Sequence, residues 1–108
     1  MESANEAVRA VARGLVSATG CGQVLAAFLE LGQPDLESAA DELVAGGADR
    51  LVVIPYFLTL GLHMERDLPR LVDAVTSRHP GVRVDVTAPL HGHPALLTIL
   101  AERFRTAG

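Results

Sequence analysis

Three apolar stretches of this chain each end close to a side chain that can bind a metal or move a proton. Glu30 lies at the end of Val24 to Leu31, His63 follows Leu51 to Phe57, and His91 with His93 follow Val82 to Thr87. An imidazole and a carboxylate facing one cavity can hold a divalent transition metal or relay protons. His63 ranks first. The run LVVIPYFLTLGLH places it a few residues past a strand with two β-branched residues at its centre, with Pro55 and Gly61 marking where regular pairing stops. In an open α/β sheet, ligands bind outside the carboxyl ends of the strands. Each residue also has a plain reading. A lone loop histidine is commonly solvated or capping, a strand-end glutamate commonly caps a turn or meets an arginine, and His91 with His93 fit an ordinary polar loop.

The elements that must position these groups alternate between helix and strand. Ser3 and Glu6 have the spacing of a capping box, and Ala4, Val8, Val11 and Leu15 form one helical stripe that ends before Gly20 and Gly22. Val24 to Leu31 reads as a buried strand. Pro34 and Asp35 open a second helix carrying Leu36, Ala40 and Leu43, and Gly46 and Gly47 close it. A central strand, Arg50 to Phe57, is apolar enough to be buried on both faces. The third helix runs from near His63 or Asp67 to Arg78, burying Leu68, Leu71, Val72 and Val75, with Pro69 marking the start of its regular part. Val82, Val84 and Val86 alternate with Arg83, Asp85 and Thr87, as expected of an edge strand with one wet face. His93 and Pro94 lead into a last helix bearing Leu96, Ile99, Leu100 and Phe104.

Strand, helix and strand at crossover length predict βαβ units, a parallel sheet and helices on its faces. Three strands are legible, and the opening helix has no strand ahead of it.

Composition narrows the function. The chain has 108 residues, 49% hydrophobic and 20% charged, with a formal charge of −4, which predicts one folded domain and argues against disorder. Nine arginines spread from Arg9 to Arg105 form no cluster, so nucleic acid is not an expected partner. No apolar run approaches the ~20 residues of a membrane helix. Cys21 is the single cysteine, which fits a reducing cytoplasm and leaves it without an assigned role. MESANEAV lacks the basic start and apolar core of a secretory signal. His79, beside Pro80, reads as a helix-dipole partner and nothing more. No GxGxxG, GxxxxGK or nucleophile elbow is present. Tyr56, Phe57, Leu58, Leu60 and Leu62 are either packing under a loop or a bed for a flat conjugated ligand.

Taken together, AFLELGQPDLESAADELVAGGADRLVVIPYFLTLGLHMERDLP and APLHGHPAL resemble the small single-domain sirohydrochlorin chelatases, the class II tetrapyrrole chelatases. The most specific parts are FLE ending at Glu30, the block from Pro55 to His63, and HPAL starting at His93. The resemblance implies a chelatase-like three-layer α/β sandwich with a small parallel sheet and four helices. It implies ATP-independent insertion of cobalt, iron or nickel into a carboxylate-rich tetrapyrrole, with the metal as substrate and no permanent cofactor. His63 would be metal ligand or proton acceptor and Glu30 its carboxylate partner. Tyr56, Phe57, Leu62 and His93 would lie on the substrate side, with Arg66 and Arg70 merely near. Imidazole, with a reference pKa of roughly 6.5, suits both ligation and proton uptake. The same pocket on a non-catalytic metal or tetrapyrrole carrier is the alternative.

Members of that family begin with a strand ending in a His-Gly-Ser motif whose histidine is a principal catalytic residue. This sequence opens at the following helix. The expectation is therefore a single domain over residues 1–108 that is truncated at its N-terminus, through a late start or in a reduced homologue. Without that strand, Val24 to Leu31 and Leu51 to Phe57 must either pair directly or expose unpaired edges, and such edges favour a homodimer or higher oligomer.

Overall fold

The computed structural model describes residues 2–29, 32–57 and 62–108, with the side chains of Leu62 and His63 outside that description. The element order is α1 (Glu2–Thr19), α2 (Leu36–Ala45), β1 (Arg50–Val53), α3 (Leu62–Arg78), β2 (Arg83–Val86) and α4 (Pro94–Thr106).

Local chemistry sets most of the boundaries. Asp35 caps α2 by accepting the Ser38 N–H at 2.8 Å, and Gly47, at φ +107°, supplies the left-handed residue that ends the turn. The α1 helix stops at Gly20, whose φ is +74° and whose N–H donates to the Val16 carbonyl at 2.9 Å. Its start differs from the capping-box expectation. Ser3 lies inside the helix, and the Glu6 carboxylate accepts from Arg13 at 2.8 Å. That bond, with Arg9 3.6 Å away, holds Glu6 below its usual pKa. Pro69 also departs from expectation. It lies inside α3, where it removes one helical hydrogen bond, instead of opening the regular part.

β1 and β2 pair in parallel with Arg50 opposite Arg83 and Val53 opposite Val86, and α3 is the crossover between them. The sheet has two strands among the described residues, not three. Residues 23–28 carry neither helix nor ladder. Aliphatic runs report a demand for burial, whereas a strand also requires a hydrogen-bonding neighbour.

The core lies on one side of this small sheet. Ala40, Leu51 and Val75 are buried together, with Leu36, Leu43, Val44, Ala48, Val82 and Val84 packed around them. Two helices clamp that side: Asp41 accepts from Arg78 and lies 2.7 Å from the His79 ring. His79 is thus an interhelical partner as well as a residue at a helix end. The expectation that β1 is buried on both faces fails, because Val52 and Ile54 remain 47% and 49% exposed while Leu51 is 6% exposed.

The flanking helices are less committed. The α1 helix contains no buried residue; the Arg9 guanidinium lies 5.2 Å above the Phe28 ring. Leu97, Leu100 and Phe104 leave an open apolar face on α4. The radius of gyration, 15.3 Å, accordingly exceeds the value of about 13 Å expected of a compact chain of this length.

Candidate functional site

A parallel pair places both carboxyl ends on one edge, and here the backbone ties them together beyond the strands. The Thr87 N–H donates to the Val53 carbonyl at 2.9 Å and the Leu90 N–H to the Phe57 carbonyl at 2.8 Å. The segment after β1 and the loop carrying His91 and His93 are therefore neighbours. The sequence contains no pattern that announces the Leu90–Phe57 link; it follows from the register of two strands far apart in the chain.

The α3 helix starts on the same edge. Leu62 and His63 occupy its first turn, where unpaired backbone N–H groups and the helix dipole favour negative charge. A cleft of about 390 Å³ opens there between α3 and the strand ends, walled by Pro55, Met64, Glu65, Leu68, Asp73 and Thr87 among others. Tyr56 and Phe57 are 50% and 37% exposed, so their rings are available to a ligand.

His93 has a defined orientation. Its Nδ1 accepts the Ala95 N–H at 3.0 Å as the cap of α4, which leaves Nε2 as the ring atom able to donate outward. His91 is exposed. Glu30 and the side chains of Leu62 and His63 lie outside the described residues, as do Leu58, Leu60 and Gly61. The structure thus ties the segment carrying Tyr56 and Phe57 to the loop carrying His91 and His93. Among the described residues no three His, Cys, Asp or Glu side chains converge on one point.

The CbiX family model matches residues 1–107. The chain belongs to the CbiX family. Among curated relatives, the chloroplastic sirohydrochlorin ferrochelatase of Arabidopsis thaliana is 36% identical over 87 residues, 81% of this chain and 39% of the relative. The sirohydrochlorin cobaltochelatase of Sulfurisphaera tokodaii is 30% identical over 76 residues, 70% of this chain and 60% of the relative. This CbiX chain thus spans between 39% and 60% of the length of these two relatives. In structure it resembles SirB from Bacillus subtilis with Fe3+, at a TM-score of 0.90 and 25% identity, covering 100% of this chain and 43% of SirB. The CbiX protein of Marinobacter aquaeolei VT8 shares the fold at a TM-score of 0.75 and 23% identity, covering 88% of this chain and 80% of that one.

Proposed function

We propose that this CbiX chain inserts a divalent metal, cobalt, iron or nickel, into a sirohydrochlorin-type tetrapyrrole without ATP. The observation that carries the reading is family membership over residues 1–107, in relatives named as sirohydrochlorin ferrochelatase and cobaltochelatase. The shared edge formed by the ends of β1 and β2 and the start of α3 is where the fold would hold such a substrate.

Insertion exchanges two pyrrolic protons for one M2+ ion, so the site must accept two protons and replace the water lost by the metal. In this reading His63 and Glu30 serve as metal ligands and proton acceptors on one side of the ring. Tyr56, Phe57 and Leu62 give the macrocycle an apolar bed. His93 Nε2–H, freed by the cap on Nδ1, donates to a substrate carboxylate. The first turn of α3 adds a favourable potential for the carboxylates at the rim.

The reading extends to assembly and place. A homodimer or higher oligomer would cover the exposed Leu97, Leu100 and Phe104 of α4. A reducing compartment such as the cytoplasm suits the single, exposed Cys21 thiol.

Absorbance of sirohydrochlorin with limiting protein and excess cobalt tests the function. Repeated turnover above the protein-free rate is expected, falling by about 10²-fold or more in His63→Ala if that imidazole transfers the protons. Metallation that stops at one equivalent per chain would assign a carrier instead. A rate equal to background would overturn the reading.

A further inference from the structure

Insertion of one M2+ ion breaks two pyrrolic N–H bonds, and the released protons must reach solvent. The electron pair of each broken bond stays on its ring nitrogen and binds the metal, which remains divalent. A His63 lone pair that holds the metal cannot also hold a proton, so the chelatase site proposed above needs an onward base in contact with water. Imidazole is the side chain that ordinarily exchanges protons near neutral pH. The sequence has four histidines, and their rings are differently engaged. His79 lies 2.7 Å from Asp41 and follows the C-terminal end of α3, about 24 Å along the axis from the first turn at ~1.5 Å per residue. His93 commits Nδ1 to the Ala95 N–H at 3.0 Å, so it can take up a proton only by giving up the cap of α4. His63 is assigned to the metal. His91 is exposed, and among the described residues no hydrogen bond or ion pair engages its ring.

The backbone fixes where His91 is presented. The Leu90 N–H donates to the Phe57 carbonyl at 2.8 Å, and the His93 N–H donates to the Leu90 carbonyl at 3.2 Å. Leu90 to His93 is thus a reverse turn. Gly92, its third residue, has φ +84°, the left-handed conformation that a type II turn requires at that position. His91 occupies the second position, one residue from the bond to Phe57 and two from the capped His93. The segment to which the turn is tied, Ile54 to Phe57, carries no charged side chain. The titratable groups around the turn are accordingly Tyr56 on that segment and His93 in the turn itself, with Glu65 of α3 in the cleft on the same edge.

We propose that His91 is the proton-relay residue of metal insertion, carrying the protons lost by the tetrapyrrole from the site to solvent. The inference rests on the chelatase reading and adds a residue to it. In each transfer the unprotonated ring nitrogen of His91 forms an N–H bond as the proton leaves the site, and the imidazolium then gives that proton to water or a buffer base. The ring returns neutral for the second proton. The division of labour with His93 follows from the cap: one imidazole is held as a donor toward substrate carboxylates, and its neighbour is left able to gain and lose a proton.

The test compares cobalt insertion into sirohydrochlorin by the 108-residue chain and by His91→Gln, in dilute and in concentrated buffer at neutral pH. Glutamine keeps the size and polarity of the side chain and cannot carry the proton. In dilute buffer kcat should fall by about 10²-fold with KM for sirohydrochlorin unchanged. Free imidazole or concentrated buffer should restore the rate of the variant and leave that of the parent chain unaltered. Equal kcat for the two chains in dilute buffer overturns the proposal. So does a loss that appears in KM and is not rescued by imidazole, which would make His91 a substrate-binding residue. A parent chain that shows no turnover overturns the chelatase reading and this inference with it, an outcome distinct from turnover that is indifferent to His91.

Discussion

Leu51 and Val52 are neighbours of similar chemistry on one strand, yet the first is 6% exposed and the second 47%. The side of β1 that carries Leu51 meets α2 and α3, whose sequences supply Ala40 and Val75 at matching places. Val52, on the other side, lies outside that cluster, and α1, a helix with a clear apolar stripe, contains no buried residue. Both sides are aliphatic, so hydrophobic content does not distinguish them. What separates a core from an open wall here is a partner within contact distance.

The sharpest way to break this contrast is paired truncation. Leu51→Ala should cost about 3 kcal/mol in urea unfolding, as a large-to-small change in a packed core does. Val52→Ala should stay within about 0.5 kcal/mol, as at other exposed positions. Equal losses would show that the Val52 side is packed in solution as well. Val75→Ala, at a side chain 1% exposed, should cost about 2 kcal/mol from lost methyl burial and the space left behind.

A smaller effect should appear with pH, again on the packed side. The hydrogen bond from Arg78, followed by the contact with His79, holds the Asp41 carboxyl below its ordinary value. A carboxyl depressed by folding stabilises the native state above the unfolded value of about 3.9 and loses that contribution as pH falls through the lower folded value. Asp35 behaves alike, held down chiefly by the Ser38 backbone N–H. The urea midpoint of the chain should therefore drop as acid is added below about pH 4. Asp41→Asn should reduce the drop, and an unchanged acid profile would show the clamp to be unimportant. The effect should weaken in high salt, because these side chains are partly exposed.

The smallest change in stability is expected on α4. Phe104→Ser, at a side chain 83% exposed, should move unfolding by less than about 0.5 kcal/mol. If that face joins two copies, the same substitution should shift light scattering from two chains toward one.

The places where sequence reading succeeded share a physical basis. Asp35 before α2, Gly46 and Gly47 after it, and His93 with Pro94 before α4 act on backbone groups only a few residues away. Such signals need no tertiary partner. Ser3 with Glu6 shows their limit, because the same carboxylate had arginines available one and two turns along the helix and paired with those. Pro69 shows another, since α3 runs on through a residue that locally disfavours it, beside the buried Leu68. Of the candidate site, the shared edge of β1 and β2 was legible. The orientation of His93 and the tie between Phe57 and Leu90 were not.

By itself the sequence determined the ends of α2 and the start of α4, that β1 and β2 run parallel around a crossover, and which residues seek burial, because these depend on nearby chemistry and chain connectivity. Only the tertiary structure decided that residues 23–28 form no strand, that β1 is buried on one face, and that Asp41 joins Arg78 and His79. Each of those outcomes depends on whether a distant segment arrives within bonding distance, and local residue patterns carry no measure of that distance.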